Sequence, residues 1–408
     1  MLIDRPFYMS QLDGFIGAPL AKVLTGIRRG GKSTLLRLLR ERLIAGGIDP
    51  ARIVLLQFDA MQNDELRTAQ ALHDYLTGRA PADGPYCVLL DEVQEVDGWE
   101  RVVNSLIAQG GVDVYVTGSN SRLLAGDLAT YIAGRYVSFE VAPLSFSEFV
   151  TFARETSQGP DGTRHQFERY LVRGGFPGLF AADFSDEDAA RVIADIWTSV
   201  VVRDVLTHNS IRSPELFERV ARFALDNVGS PFSARRVAAF LKAEAKPLSH
   251  QTVADYIQAM TNAYLLRRTP RYDLRGKAYL SSTEKFYAGD HGLVNALLGY
   301  DPSRIPGLLE NIVQSELRLR GYDLSVGKMG DQEVDFVAQR KGERLYIQVA
   351  TSALDPATLQ RELAPLLAIK DSHPKYVLTL DTLAGGNTQG VKSMYLPDFL
   401  LAQGWSAP

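Results

Sequence analysis

The stretch that decides the fold reads AKVLTGIRRGGKSTLLRLLRERL and spans residues 21–43. It opens with a short apolar run typical of a buried strand, and it closes with the apolar period of an amphipathic helix. Between the two lies a glycine-rich turn with the spacing Gly-x-x-x-x-Gly-Lys-Ser, running from Gly26 to Ser33. A strand, a glycine turn and a helix in this order are what a phosphate-binding P-loop requires.

This P-loop predicts ATP and Mg²⁺ as ligands. Backbone N–H groups of such a turn surround phosphate, and the N-terminus of the following helix adds a favourable dipole. Lys32 is predicted to reach the β- and γ-phosphates, while Ser33 is predicted to hold Mg²⁺. The residues predicted to bind the nucleotide are Gly26, Arg28, Arg29, Gly30, Gly31, Lys32, Ser33 and Thr34.

A second apolar run, YCVLLDEVQ from residue 86, ends in Asp91 and Glu92. An acidic pair directly after a buried strand, downstream of a complete P-loop, has the pattern of a Walker B motif. We expect Asp91 to contact Mg²⁺ through water. Glu92 is expected to orient or deprotonate the water that attacks the γ-phosphate. Together the two motifs predict ATP hydrolysis.

A third apolar run, VDVYVTG from residue 112, is followed by Ser119 and Asn120. A polar side chain at this strand end would face the γ-phosphate, so Asn120 or Ser119 is the predicted sensor. A helix N-cap at Ser119 or Ser121 explains this stretch equally well. Arg135 is the first candidate for an arginine finger donated by a neighbouring subunit, with Arg122 as the second. A surface salt bridge is the alternative role for Arg135.

Size and composition set wider bounds. A chain of 408 residues is expected to form two or three domains. The net charge of −4 excludes a uniformly basic nucleic-acid binder but leaves room for local basic patches. The single cysteine, the absence of a secretory signal and the absence of a long apolar run predict a cytoplasmic protein.

Several motifs together resemble a known family. TGIRRGGKSTLL, LLDEVQ, VTGSNSRLL, LAGRYVSFEVAPLSFSEF and LVRGGFPGL are similar to prokaryotic AAA+ ATPases with an AAA_14-like core and a DUF4143 region. The resemblance implies an ATPase that works as a homo-oligomer, a hexameric ring. It also implies an α/β fold with a parallel AAA+ sheet, a helical lid, a winged-helix segment and a C-terminal domain resembling the PD-(D/E)XK nuclease fold. The predicted domains are residues 1–150, 151–214, 215–285 and 286–408.

The segment 215–285 has the order of a winged helix. Ser233 and Ser249 are predicted N-caps of two helices, which are followed by two short strands around a turn. The second helix would enter a DNA groove through His250, Gln251 and Thr252. The predicted phosphate contacts are Arg267, Arg268, Arg271, Arg275 and Lys277. The alternative is a winged helix that packs subunits together and carries merely solvated basic residues.

The stretch EVDFVAQRKGERLYIQVATS, residues 333–352, has the layout of a nuclease site. Glu316 is the predicted helix acid and Asp335 the predicted strand acid. Gln348 stands where the next acid belongs, and Ala350 where the lysine belongs. Because a neutral amide is a poor Mg²⁺ ligand and alanine carries no charge, this pattern predicts a nuclease fold without nuclease chemistry.

The sequence therefore predicts an AAA+ ATPase that couples hydrolysis between subunits to the binding or remodelling of DNA, branched DNA included. One alternative is a nucleotide-switched scaffold that binds proteins and no DNA. The other is an ATP-dependent nuclease with a relocated lysine.

Overall fold

The computed structural model describes residues 2–124, 132, 134–158, 162–207, 209, 211–243, 248–276, 278–382 and 385–405. The chain forms two compact units. The first comprises residues 1–142 with 262–264, and the second comprises residues 143–261 and 265–408.

The first unit is built on a five-stranded sheet in which every strand pairing is parallel. The order across the sheet is β2-β3-β4-β1-β5. The strands are β1 (Ala21–Thr25), β2 (Ile53–Gln57), β3 (Tyr86–Asp91), β4 (Val112–Gly118) and β5 (Tyr136–Glu140). Since β4 lies between the P-loop strand β1 and the acidic strand β3, its carboxyl end lies between the two predicted catalytic motifs. The predicted α/β fold with a parallel P-loop sheet is confirmed.

Helices cover both faces of this sheet, and its strands β1 and β3 are buried along their whole length, as parallel strands between two helical layers are. Val88 and Leu90 of β3 and Val116 of β4 pack in one core with the helices Ala69–Thr77 and Trp99–Gln109. Residues at the intervening positions point to the opposite face. There the helix Lys32–Ala45 contacts β3 and β4. A further helix, Pro6–Asp13, precedes β1.

The second unit begins with helices and continues into a large sheet. Its helices are Phe146–Glu155, Thr163–Arg173, Asp186–Val200, Pro214–Asp226, Ala234–Ala243, His250–Asn262, Gly292–Leu298, Ile305–Leu319, Pro356–Ala368 and Leu396–Leu401. The third of these runs on into a π-helical segment, Val201–Leu206. Across the described ranges, no helix of either unit is long and apolar enough to cross a bilayer.

The sheet of the second unit has eight strands in the order β12-β13-β11-β10-β9-β8-β6-β7. It mixes parallel and antiparallel pairings. The strands are β6 (Leu266–Asp273), β7 (Ala278–Ala288), β8 (Asp323–Met329), β9 (Gln332–Arg340), β10 (Glu343–Val349), β11 (Lys375–Thr379), β12 (Gly385–Thr388) and β13 (Val391–Tyr395). The predicted domain boundary between residues 285 and 286 falls inside β7. The hairpin predicted to be a wing and the strands predicted to be nuclease-like therefore share one sheet.

The segment before the hairpin follows the predicted order of elements. The hydroxyl of Ser249 accepts a hydrogen bond from the backbone N–H of Thr252 at 3.0 Å, so the predicted N-cap is confirmed. Strands β6 and β7 pair antiparallel, with a register shift between Thr269 and Arg271. Two helices followed by an antiparallel hairpin are thus present, although the hairpin continues into the larger sheet through β8.

Candidate active site

The P-loop is held in shape by backbone conformations that suit glycine. Gly26 and Gly31 have φ values of 140° and 106°. A Cβ on Gly26 would overlap the backbone carbonyl oxygen of Val141. The close approach of these two backbone segments therefore excludes any side chain at residue 26. Arg29 also has a left-handed backbone, with φ of 67°. The turn therefore bends its backbone N–H groups around one point, as a phosphate cradle does.

The helix that follows the turn begins at the lysine of the motif, Lys32. The N–H groups of its first turn have no intrahelical acceptor, and the helix dipole favours an anion at this end. The ammonium of Lys32 is buried and donates to the carbonyl oxygens of Gly26 at 2.9 Å and Ile27 at 3.1 Å. Lys32 is thus held inside the loop, beside the N–H groups that would surround phosphate.

Asp91 lies at the end of β3 with hydrogen-bond donors on both carboxylate oxygens. Thr117 donates to Oδ1 at 2.6 Å and Gln57 donates to Oδ2 at 3.2 Å. Ser33 also hydrogen-bonds to this carboxylate. Burial raises the pKa of Asp91, and the bonds from Thr117, Ser33 and Gln57 act in the opposite direction. The side chains of the predicted magnesium ligands Ser33 and Asp91 are therefore in hydrogen-bond contact.

Glu92 follows with a left-handed backbone, at φ 54° and ψ 49°. Its N–H donates to the hydroxyl of Thr117 at 2.9 Å, and Gln94 donates to its Oε2 at 2.6 Å. Such a conformation is costly for a residue with a side chain, and it persists where the surroundings impose it. Here the hydroxyl of Thr117 donates to the Asp91 carboxylate and accepts from the Glu92 N–H. These two bonds hold the backbone turn at Glu92.

Two cationic side chains of the P-loop approach Glu92. The guanidinium of Arg28 lies 3.7 Å from Oε2 of Glu92, and the ammonium of Lys32 lies 4.0 Å from Oε1. Arg28 also donates to the hydroxyl of Ser119 at 3.4 Å. Ser119 and Asn120 are both buried at the end of β4, so the structure brings both sensor candidates to this site. The backbone carbonyl of Asn120 accepts from the N–H of Leu123.

Arg135 lies at the amino-terminal ends of the strands of the first unit, whereas the P-loop of its own chain lies at their carboxyl ends. It directly precedes β5, and its carbonyl accepts from the N–H of Ala21 at the start of β1. The P-loop instead follows the carboxyl end of β1, about 15 Å further along a five-residue strand. The exposed side chain of Arg135 reaches Asn104 at 3.5 Å. Arg135 is therefore not brought to the site within one chain, and the side chain of Arg122 lies outside the described part.

The predicted nuclease residues form a different cluster from the expected one. Glu316 is buried and pairs with Arg320 at 2.7 Å. It is Glu310, about 1.7 turns earlier in the helix, that lies close to Asp335. Gln348 accepts from the backbone N–H of Asp335 at 3.3 Å. The structure thus brings together Asp335 and Gln348, and it places Glu316 in a separate ion pair.

At the centre of this cluster lies Lys285 from β7. Its ammonium contacts the carboxylates of Glu333 at 2.9 Å, Glu310 at 3.1 Å and Asp335 at 3.5 Å. Burial lowers the pKa of Lys285, and the three carboxylates raise it by more, so the pKa ends above its usual value. Burial and the charge of Asp335 raise the pKa of Glu310 to about 8, against the lowering effect of Lys285. Burial likewise raises the pKa of Asp335.

Most of the predicted phosphate-binding arginines bond to other side chains of the protein. Arg268 makes a bidentate ion pair with Glu284, and Arg271 bonds Glu333 at 2.6 Å. Arg267 is buried and donates to Ser315 at 3.2 Å. Carboxylates on β7 and β9 thus pair with Arg268 and Arg271, which a count of basic residues along one segment could not reveal.

The remaining candidates for DNA contact differ in position. His250 and Gln251 are exposed at the first turn of the helix His250–Asn262, and Thr252 is half-buried beside its Ser249 cap. Arg275 is exposed in the turn between β6 and β7. Lys277 lies outside the described residues.

Sequence reasoning missed four side chains of these sites: Thr117, Gln57, Lys285 and Glu310. Thr117 and Gln57 stand at or next to the carboxyl ends of β4 and β2, where a parallel sheet gathers polar side chains, so a search of strand ends would have found them. No local pattern marks Lys285 or Glu310, because the residues that surround them come from β9 and are distant in the chain.

The chain matches two family models and is similar to proteins of other organisms. A family model described as an AAA domain matches residues 19–150. A second, described as a domain of unknown function (DUF8612), matches residues 164–304, where the resemblance implied DUF4143. An uncharacterized protein of Haemophilus influenzae is 34% identical over 403 residues, covering 98% of this chain and 99% of its own. An uncharacterized protein of Methanocaldococcus jannaschii is 27% identical over 86% of this chain and 79% of its own.

Two solved structures are more distant. A Walker-type ATPase of Pyrococcus abyssi has 13% identity and a TM-score of 0.46, covering 73% of this chain and 96% of that one. The Aeropyrum pernix Orc1 protein, in complex with DNA, has 13% identity and a TM-score of 0.33, covering 73% and 92%. The relation to the Haemophilus influenzae protein extends over nearly the full length of both chains. The chain therefore belongs to the same family as that protein, with an AAA ATPase domain over residues 19–150.

Proposed function

We propose that the first unit binds ATP with Mg²⁺ and hydrolyses it to ADP and phosphate. The observation that carries this proposal is the hydrogen-bonded group of Ser33, Asp91, Thr117 and Glu92 beside a complete P-loop. The phosphate cradle, the magnesium ligands and a carboxylate for water thereby meet at one sheet edge. This is the set of groups that phosphoryl transfer to water needs.

The residues present suit magnesium. Mg²⁺ is bound in proteins by one or two oxygen ligands and otherwise by water and phosphate. Asp91 and Ser33 would hold it, while within the described residues no group of three or more His, Cys, Asp or Glu side chains could hold a metal alone. When bound, the ion would neutralise charge on the phosphates.

The chain's own residues have separate tasks in this mechanism. The P-loop N–H groups and Lys32 bind the phosphates, and Glu92 accepts a proton from the attacking water. The water oxygen bonds to the γ-phosphorus as the bond to the bridging oxygen of ADP breaks. Thr117 keeps Glu92 in place through its backbone N–H.

The test is the rate of phosphate release with ATP and Mg²⁺, together with equilibrium binding of a fluorescent ATP analogue. We expect Lys32→Ala to lose binding and turnover. Glu92→Gln is expected to bind ATP normally and to turn over about 100-fold more slowly or worse. Arg40→Ala, on the same helix but paired with Glu41 and not with a residue of the site, is the matched control and should behave as wild type. Full turnover in Lys32→Ala would refute the proposal.

We further propose that the ATPase acts as a hexameric homo-oligomer in which Arg135 reaches the nucleotide of the next subunit. The exposed side chain of Arg135 lies away from its own P-loop, which favours a role at the nucleotide of a neighbouring subunit over one at its own site. A mixture of Lys32→Ala and Arg135→Ala chains should then recover activity that neither variant has alone. No recovery, in a mixture shown to co-assemble, would refute the role across subunits.

DNA is the partner we propose for the second unit. The observation in favour is the capped helix His250–Asn262, whose first turn exposes His250 and Gln251, followed by a hairpin that exposes Arg275. The variant with all three replaced by alanine should lower DNA affinity and flatten its salt dependence, while Arg191→Ala should not. Since Arg268 and Arg271 are paired with carboxylates, they are not the residues to replace. Equal DNA affinity in both variants would show that these three residues do not contact DNA. No DNA binding by the wild type would favour the nucleotide-switched scaffold that binds proteins.

We also propose that the second unit performs no nuclease chemistry. The ammonium of Lys285 already contacts the carboxylates of Glu310, Glu333 and Asp335, the side chains a metal would need. The protein should leave duplex and branched DNA intact with Mg²⁺ or Mn²⁺. Cleavage that disappears in Asp335→Ala would instead support a nuclease with Lys285 as the relocated lysine.

A further inference from the structure

Arg28 is the second residue after the first glycine of the P-loop, at a position the motif leaves open to many side chains. In this fold its side chain turns inward, with 12% of its surface exposed. Its neighbour Arg29 is exposed. One of two consecutive arginines is therefore directed into the site, and the left-handed backbone of Arg29 lies directly after it.

The contacts of Arg28 place its guanidinium at the reacting end of the site. It lies 3.7 Å from the carboxylate of Glu92, the proposed acceptor of the water proton, and 3.4 Å from the hydroxyl of Ser119. Lys32 approaches the other oxygen of Glu92 at 4.0 Å. Two cations of the P-loop thus approach the two oxygens of the carboxylate that is proposed to accept the water proton.

Charge explains why this position matters. During phosphoryl transfer, negative charge spreads over the transferring group and the leaving oxygen, and a fixed cation stabilises it most when water is excluded. Arg135 does not reach the P-loop of its own chain, whereas Arg28 is part of that loop. A planar guanidinium also binds two phosphate oxygens at once, which an ammonium does not.

We propose that Arg28 is a catalytic residue that stabilises the transferring phosphoryl group within its own chain. This inference rests on the proposed ATPase function. Arg28 lies within ion-pair distance of Glu92 and donates to Ser119, and a γ-phosphate in the site would compete with Glu92 for the guanidinium. Binding of ATP then frees the Glu92 carboxylate to accept a proton. Each chain thereby contributes its own arginine to its own site.

Two readouts test the assignment. The first compares the affinity for ADP alone with that for ADP plus aluminium fluoride, which mimics the transferring group. Arg28→Ala should keep ADP affinity within about threefold, lose about 100-fold in affinity for the aluminium fluoride complex, and lose a similar factor in kcat. Arg28→Lys should recover part of both losses and Arg28→Gln neither.

The second readout is mixing. Lys32→Ala chains combined with Arg28→Ala chains should stay inactive, because every site then lacks one of two residues that must belong to the same chain. Recovery in this mixture would overturn the proposal, and so would an unchanged affinity of Arg28→Ala for the aluminium fluoride complex. Failure of the wild type to bind ADP or ATP at all would instead refute the ATPase function itself. Normal ADP binding by Arg28→Ala shows that the variant is folded.

Discussion

Replacing Lys285 by methionine is expected to destabilise the second unit strongly and in a pH-dependent way. Methionine fills a volume close to that of the lysine stem but leaves the carboxylates of Glu310, Glu333 and Asp335 without their shared cation. Only 4% of the Lys285 side chain is exposed, so water cannot replace the ammonium without rearrangement. Removing one partner from a buried ion pair costs about 3–5 kcal/mol in the free energy of unfolding.

The pH dependence follows from the pKa of the remaining acids. Burial and Asp335 raise the pKa of Glu310 to about 8 in the wild type, so the folded protein binds a proton that the unfolded chain releases at its ordinary pKa. The stability from this proton is present below the unfolded pKa and is lost as the pH rises towards 8. Without Lys285 the carboxyl pKa values rise further. Each added unit deepens the deficit at pH 8 by about 1.4 kcal/mol, whereas protonation relieves the deficit at pH 5.

The assay is urea unfolding at pH 5 and pH 8, followed by the fluorescence of Trp197 and Trp405, which are buried in the second unit. A Trp99→Phe background removes the signal of the first unit. Arg268→Met, which breaks the partly exposed pair with Glu284, is the matched control and should cost at most about 1 kcal/mol. Adding Glu310→Gln to the Lys285 variant should recover part of the loss. A cost below about 1 kcal/mol, or an equal cost at both pH values, would refute the reasoning.

Three further variants address single contacts. Thr117→Val removes the hydroxyl that bonds Asp91 and the N–H of Glu92, so we expect kcat to fall about 100-fold with ATP affinity within a few-fold of wild type; an unchanged kcat would show that this bond does not position Glu92. Gly26→Ala should abolish ATP binding, since its Cβ would overlap the Val141 carbonyl, and normal binding in a nucleotide titration would contradict that geometry. Ser249→Ala should destabilise the first turn of the helix His250–Asn262 by about 1 kcal/mol. This loss is measured as faster hydrogen exchange of the Thr252 amide. An equal exchange rate in the variant and the wild type would show that the Ser249 hydroxyl does not stabilise the helix.

Local patterns predicted the first unit well because its chemistry is local. A P-loop is a continuous stretch in which glycine conformations, a lysine and a helix start must follow one another, so the residues from Gly26 to Ser33 reveal it directly. Asp91 and Glu92 are likewise marked by the buried strand before them. The position of Thr117 beside Asp91 and Glu92 depends on β4 lying between β1 and β3 in the sheet. No local sequence pattern predicts this strand order, so the sequence does not identify Thr117.

The second unit shows the opposite case. Counting basic residues predicted a phosphate-binding wing, yet Arg268 and Arg271 meet Glu284 and Glu333 across the sheet. Spacing also selected Glu316 as the helix acid, whereas the helix turns Glu310 towards Asp335 and gives Glu316 to Arg320. Both errors have the same origin, since the partner of a charged side chain is decided by strand pairing and helix rotation.

The sequence by itself thus determined the P-loop, because every group proposed to bind phosphate lies within one strand, one turn and one helix start. Only the tertiary structure decided what the charged side chains do. It directs the side chain of Arg28 inward to Glu92 and Ser119. It places Arg135 at the amino-terminal ends of the strands, away from the P-loop. It surrounds Lys285 with three carboxylates. The physical reason is that a charge acts through its nearest neighbours in space, and folding chooses those neighbours from distant parts of the chain.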